Sequence, residues 1–125
     1  MAAEKQSTKT LLIIEDQLPT REALASIFRT EGFRVVTAGN RQEALGYLRT
    51  SALPNLVLLD MRQALDSSGF LEERQRDGAL ASVPVVVLTE PSTDREWVAS
   101  LGATDAVAKP ISIDVLLNMI QRWGN

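Results

Sequence analysis

The sequence predicts an α/β domain, a five-stranded parallel sheet with helices on both faces. Two observations predict it. Short β-branched or aliphatic runs alternate along the chain with segments of helical period. The strand-like runs are also apolar at successive positions, as strands covered on both sides must be. Composition agrees: 125 residues leave room for one core, and 45% hydrophobic with 23% charged residues is the make-up of an ordinary folded domain.

Residues 1–9 are polar and expected to be flexible, which leaves 10–125 as a single domain. Leu11 to Ile14 reads as the first strand. Pro19 suits a first helical position, Leu24, Ile27 and Phe28 follow at i, i+3, i+4, and Gly32 is the stop. Arg34 to Ala38 is the second strand. Asn40 with Glu43 resembles a capping box for a helix burying Ala44, Leu45 and Leu48. Pro54 punctuates, and Leu56 to Leu59 forms a third strand running straight into Asp60. Met61 to Gly69 lacks a period and reads as a loop; Phe70 to Asp77 reads as a short helix with a weak apolar stripe. Val85 to Leu88 is the fourth strand. Thr93 and Glu96 form a second capping box, for a helix burying Trp97, Val98 and Leu101 and stopped by Gly102. Asp105 to Ala108 is short enough for an edge strand. Ser112 opens a last helix with an apolar stripe of Val115, Leu116, Met119, Ile120 and Trp123.

Composition also excludes function classes. With no Cys and no His, disulfides, thiol nucleophiles, imidazole acid–base chemistry and nearly every zinc site are absent. Any metal must be held by oxygen, which favours a hard cation such as Mg²⁺ or Ca²⁺. A net charge of −3 without a basic tract argues against direct nucleic acid binding. The aliphatic runs are too short for a signal peptide or a membrane span, so a cytoplasmic location is expected.

In an open parallel sheet, ligands bind beyond the carboxyl ends of the strands. Strand one ends in Glu15-Asp16, strand three in Asp60, strand four in Thr89, and strand five runs into Lys109-Pro110. Taken singly, each has an ordinary structural reading: Asp as a turn or cap residue, Lys as a solvated charge, Thr as a strand former. Together they put three carboxylates, a hydroxyl and an ammonium on one edge. Converging carboxylates repel one another unless a cation neutralises them, and with oxygen donors alone the cation expected is Mg²⁺.

This ordered set resembles the receiver domain of two-component response regulators, over about Thr10 to Trp123. The resemblance implies the flavodoxin-like strand order 2-1-3-4-5. It implies a phosphoacceptor switch, not a dedicated enzyme, which takes a phosphoryl group from a histidine kinase or phosphotransfer protein. By the resemblance, Asp60 is the nucleophile; Asp16 ligates Mg²⁺, with Glu15 acting through a metal-bound water; and Asp60 with the backbone carbonyl of Arg62 completes the metal's protein ligands. Lys109 would contact the phosphoryl oxygens, and Thr89 would hydrogen-bond the installed group. Pairing of two copies through the last two helices is a further implication. No output domain follows Trp123, so action through a partner, or as part of a longer protein, is expected.

Four positions depart from the family pattern. An aromatic usually stands three residues before the Lys; here it is Ala106. The loop after Asp60 has Ala64 where Pro is usual, and Gly69 one position late. The usually small residue after Thr89 is Glu90, which either faces the site or is a solvated charge before Pro91. These departures are the support for an alternative, a docking module of the same fold that works without phosphorylation. A phosphatase of the haloacid dehalogenase type wants a second Asp at Arg62, and a flavin binder wants a Ser/Thr-rich loop at Glu15-Asp16. Trp97 and Trp123 lie on helical apolar stripes, where packing is the ordinary role.

Overall fold

The computed structural model describes residues 9–61 and 64–124. Five strands, β1 (Thr10–Ile14), β2 (Arg34–Ala38), β3 (Leu56–Asp60), β4 (Val85–Thr89) and β5 (Asp105–Ala108), pair in parallel in the order β2-β1-β3-β4-β5. They alternate with helices α1 (Leu18–Thr30), α2 (Arg41–Thr50), α3 (Ala64–Arg76), α4 (Arg95–Ser100) and α5 (Ile113–Trp123). The fold class is the one the sequence predicted, and the strand order is the one the resemblance implied. Of the segment 1–9 expected to be flexible, residues 1–8 lie outside the described residues, as does the Arg62 carbonyl.

Period-two alternation divides the core. Leu11, Ile13, Leu56, Leu58, Val86 and Leu88 face one way, onto Leu24 and Phe28 of α1 and Leu116 and Ile120 of α5. Leu12, Ile14, Val57, Leu59, Val85 and Val87 face the other, onto Ala44, Leu45 and Leu48 of α2, Phe70 and Leu71 of α3 and Val98 of α4. Each central strand thus serves both layers, the physical reason its residues are apolar without interruption. Because β1 lies between β2 and β3, the chain leaves it in opposite directions on its two sides. That opens a crevice at the carboxyl ends of β1 and β3.

Local chemistry fixes the helix ends. Asn40 Oδ1 accepts the Glu43 amide at 2.9 Å, and Glu43 Oε1 accepts the Gly39 amide at 2.7 Å. The return half of this box therefore reaches one residue further back than the usual motif. Ser112 Oγ accepts the Val115 amide at the start of α5. Gly32 (φ +99°) and Gly102 (φ +95°) end α1 and α4 in the left-handed region that favours glycine.

Several expectations are corrected. α3 begins at Ala64, not Phe70. Among its described side chains, the buried Ser67, Phe70, Leu71 and Arg74 keep strict i, i+3, i+4, i+7 spacing, but the first and last are polar, so the apolar stripe is too weak to reveal the helix's full extent. Each is satisfied inside: Ser67 Oγ donates to the Asp60 carbonyl at 2.7 Å, and Arg74 donates to the carbonyls of Val83 (2.8 Å) and Gly102 (2.9 Å). The cap of α4 is Asp94, not Thr93; its Oδ1 accepts the amides of Glu96 and Trp97. Ile27, Trp97, Val115 and Trp123 remain exposed, and Leu101 is half-buried. The four-residue β5 is one of the two sheet edges and cannot cover the outer flanks of α4 and α5 beside it.

Candidate functional site

Ladder bonds hold the strand ends in register at the crevice. The Glu15 amide donates to the Ala38 carbonyl, the Met61 amide to that of Leu88, and the Lys109 amide to that of Thr89. Glu15, Asp60, Thr89 and Lys109 therefore leave the sheet along one edge.

Glu15 is buried. Its Oε2 accepts the Gln17 amide at 2.9 Å, while Oε1 is sealed from solvent and has no hydrogen-bond partner among the described residues. Burial, then the neighbouring carboxyls of Asp60 and Asp16, push its pKa up to about 7. Arg21 on α1 braces the same residue from outside, its Nη1 donating to the Glu15 carbonyl at 3.1 Å.

Asp60 is also buried. Lys109 Nζ donates to its Oδ2 at 3.0 Å and its Oδ1 at 3.3 Å. The same ammonium lies 3.3 Å from Glu90 Oε2, so of the two orientations left open for Glu90 the structure has the one facing the site. The buried Thr89 hydroxyl turns toward β5, 3.5 Å from the Val107 carbonyl. Ala106 is buried where an aromatic is usual, and beside it a 160 Å³ cleft lies between α4 and β5.

The edge thus brings Glu15, Asp16, Asp60 and Lys109 together, with Thr89 adjacent. Sequence reasoning missed Arg21 and Ser67, which brace the site through backbone carbonyls that no motif marks. The spacing of Ser67 with Phe70 and Leu71 was the available signal.

A cation test can be made on the donors themselves. Among the described residues no three acidic side chains form a ready-made metal cage. Yet the Glu15 oxygen that has no partner among the described residues, the burial and carboxylate crowding that raise its proton affinity, and an adjacent cleft with room for about one water-sized occupant fit a small hard cation.

Comparison with known proteins agrees with this geometry. The family model of the response regulator receiver domain matches residues 11–121. A probable transcriptional regulator ycf27 of Cyanophora paradoxa is 35% identical over 107 residues, 83% of this chain and 43% of that protein. The phosphate regulon transcriptional regulatory protein PhoB of Escherichia coli (strain K12) is 30% identical over 116 residues, 90% of this chain and 50% of PhoB. The chain therefore spans half the length of these relatives or less. Among solved structures, the receiver domain of a signal transduction histidine kinase from Syntrophus aciditrophicus superposes with a TM-score of 0.80 at 28% identity, covering 92% of this chain and 89% of that one. A response regulator receiver protein from Pseudomonas putida gives a TM-score of 0.81 at 25% identity, covering 91% and 96%.

Proposed function

Because this chain belongs to the response regulator receiver domain family, we propose that it is a phosphoacceptor switch in which Asp60 takes a phosphoryl group from a histidine kinase or phosphotransfer protein. One observation carries the reading: the buried Asp60 carboxylate has both oxygens in reach of the Lys109 ammonium, beside an acidic pair whose crowding calls for a cation.

In the transfer, an Asp60 oxygen forms a bond to phosphorus as the donor's bond to phosphorus breaks, and the electron pair leaves with the donor group. Lys109 holds Asp60 in place beforehand and then offers its positive charge to the phosphoryl oxygens. Mg²⁺, held by Asp16, Asp60 and the Arg62 carbonyl with Glu15 acting through water, would offset the negative charge that keeps a phosphate dianion away. The Thr89 hydroxyl, weakly engaged with Val107, is free to turn to the new group and draw its loop inward. With Ala106 behind it, no ring follows that movement.

The partner-facing surface is assigned to α4 and α5, where Trp97, Val115 and Trp123 stand exposed. A second copy pairing there fits these side chains. Net charge of −3 argues against nucleic acid contact by this segment. Among the described residues no helix is long and apolar enough to cross a membrane; a cytoplasmic setting is part of the proposal.

The test is incubation with Mg²⁺ and acetyl phosphate followed by intact-protein mass measurement. Wild type should gain one phosphoryl mass and Asp60→Asn should not. If wild type binds Mg²⁺ but stays unmodified, the alternative prevails: a docking module independent of phosphorylation, favoured by the engagement of Lys109 with Glu90.

A further inference from the structure

We propose that Glu90 is a positioning residue that shares Lys109 with Asp60 and thereby selects phosphoryl donors carrying a cationic group next to the phosphorus. The inference rests on the phosphoacceptor reading above.

Lys109 Nζ lies 3.0 Å from Asp60 Oδ2 and 3.3 Å from Glu90 Oε2, and its three protons can serve both carboxylates. The two partners sit in unlike surroundings. The Asp60 side chain is 4% exposed and the Glu90 side chain 57%. An ion pair so open to solvent contributes little to folding, so stabilising the fold does not account for Glu90 at this position. Its placement is built into the sheet: the Lys109 amide donates to the Thr89 carbonyl at 2.8 Å, which sets the residue after β4 opposite the residue after β5.

A donor reaching Asp60 needs the charge of Lys109 for its phosphoryl oxygens. To obtain it, the donor must displace one carboxylate while a second negative charge stands at the entrance. Acetyl phosphate offers nothing to Glu90 in return. Phosphoramidate has an ammonium nitrogen bonded directly to phosphorus, and that cation pairs with the displaced carboxylate as the phosphoryl oxygens turn to Lys109. In both reactions the Asp60 oxygen bonds to phosphorus. The O–P bond of acetyl phosphate breaks with its electron pair leaving on acetate, or the N–P bond of phosphoramidate breaks with its pair leaving on ammonia.

The experiment compares wild type and Glu90→Gln, both with Mg²⁺, across concentrations of each donor, with Asp60→Asn as the control for site. Removing one screened charge at contact distance should raise the low-concentration rate with acetyl phosphate roughly tenfold. The rate with phosphoramidate should rise no more than about threefold by the same reasoning, and both gains should lie mainly in the half-saturating concentration. A structural role for Glu90 would not change the ratio between donors. Equal gains for the two donors, or no gain, overturn this inference alone. Absence of transfer from either donor to either protein overturns the phosphoacceptor reading and this inference with it.

Discussion

The Glu15 carboxyl enters the folded protein from an ordinary value of 4.5 and is pushed up to about 7, chiefly by burial. The folded state therefore binds this proton more tightly than the unfolded chain. The contribution is complete below the unfolded value of 4.5 and is lost as pH rises through about 7. With a chelator present, urea unfolding should show stability falling across that interval by on the order of 3 kcal/mol, and Glu15→Gln should flatten the fall. Added Mg²⁺ should flatten it too, since a bound cation stabilises the ionised form. Glu15, Asp16, Asp60, Thr89 and Lys109 were readable as candidates because each directly follows or closes an apolar run, and strand ends in parallel sheets gather ligands. The contact between Glu90 and Lys109 was not readable, because the direction of a side chain after a strand depends on register between strands far apart in sequence.

Among the elements, α3 is the one whose sequence conceals it. Arg74 replaces an apolar side chain in the buried stripe and ties α3 to the entry of β4 and to the turn after α4. Burial lowers its pKa, and both carbonyls it serves depend on the planar reach of the guanidinium. Arg74→Ala should cost about 3 kcal/mol in denaturant unfolding, and Arg74→Lys should recover only a minor part. At α4 the two capping assignments predict different outcomes. Asp94→Ala should cost about 1 kcal/mol while Thr93→Ala costs a few tenths, since Asp94 accepts the two amides. The α2 box was legible from Asn40 and Glu43 alone because capping is local; the polar stripe of α3 was not, because its partners are carbonyls brought near by the fold.

In the whole molecule, the sheet order places one crevice where β1 and β3 end, and both the acidic pair and Asp60 border it. Fold class was legible because uninterrupted apolar strands separated by amphipathic helices have few other solutions. The exposed flanks of α4 and α5 were not, since an apolar stripe looks the same whether a short edge strand covers it or leaves part of it bare. If the crevice holds a cation in the folded state alone, Mg²⁺ at about a hundred times its dissociation constant should add roughly 3 kcal/mol to wild-type stability, and Asp16→Asn should lose most of that gain. The central claim is that Asp60 accepts the phosphoryl group. Reduction of the acyl phosphate with borohydride after incubation with Mg²⁺ and a small donor, followed by peptide mapping, tests it most directly. Homoserine in place of Asp60, and at no other carboxylate, is the predicted result; homoserine elsewhere, or none, would contradict it.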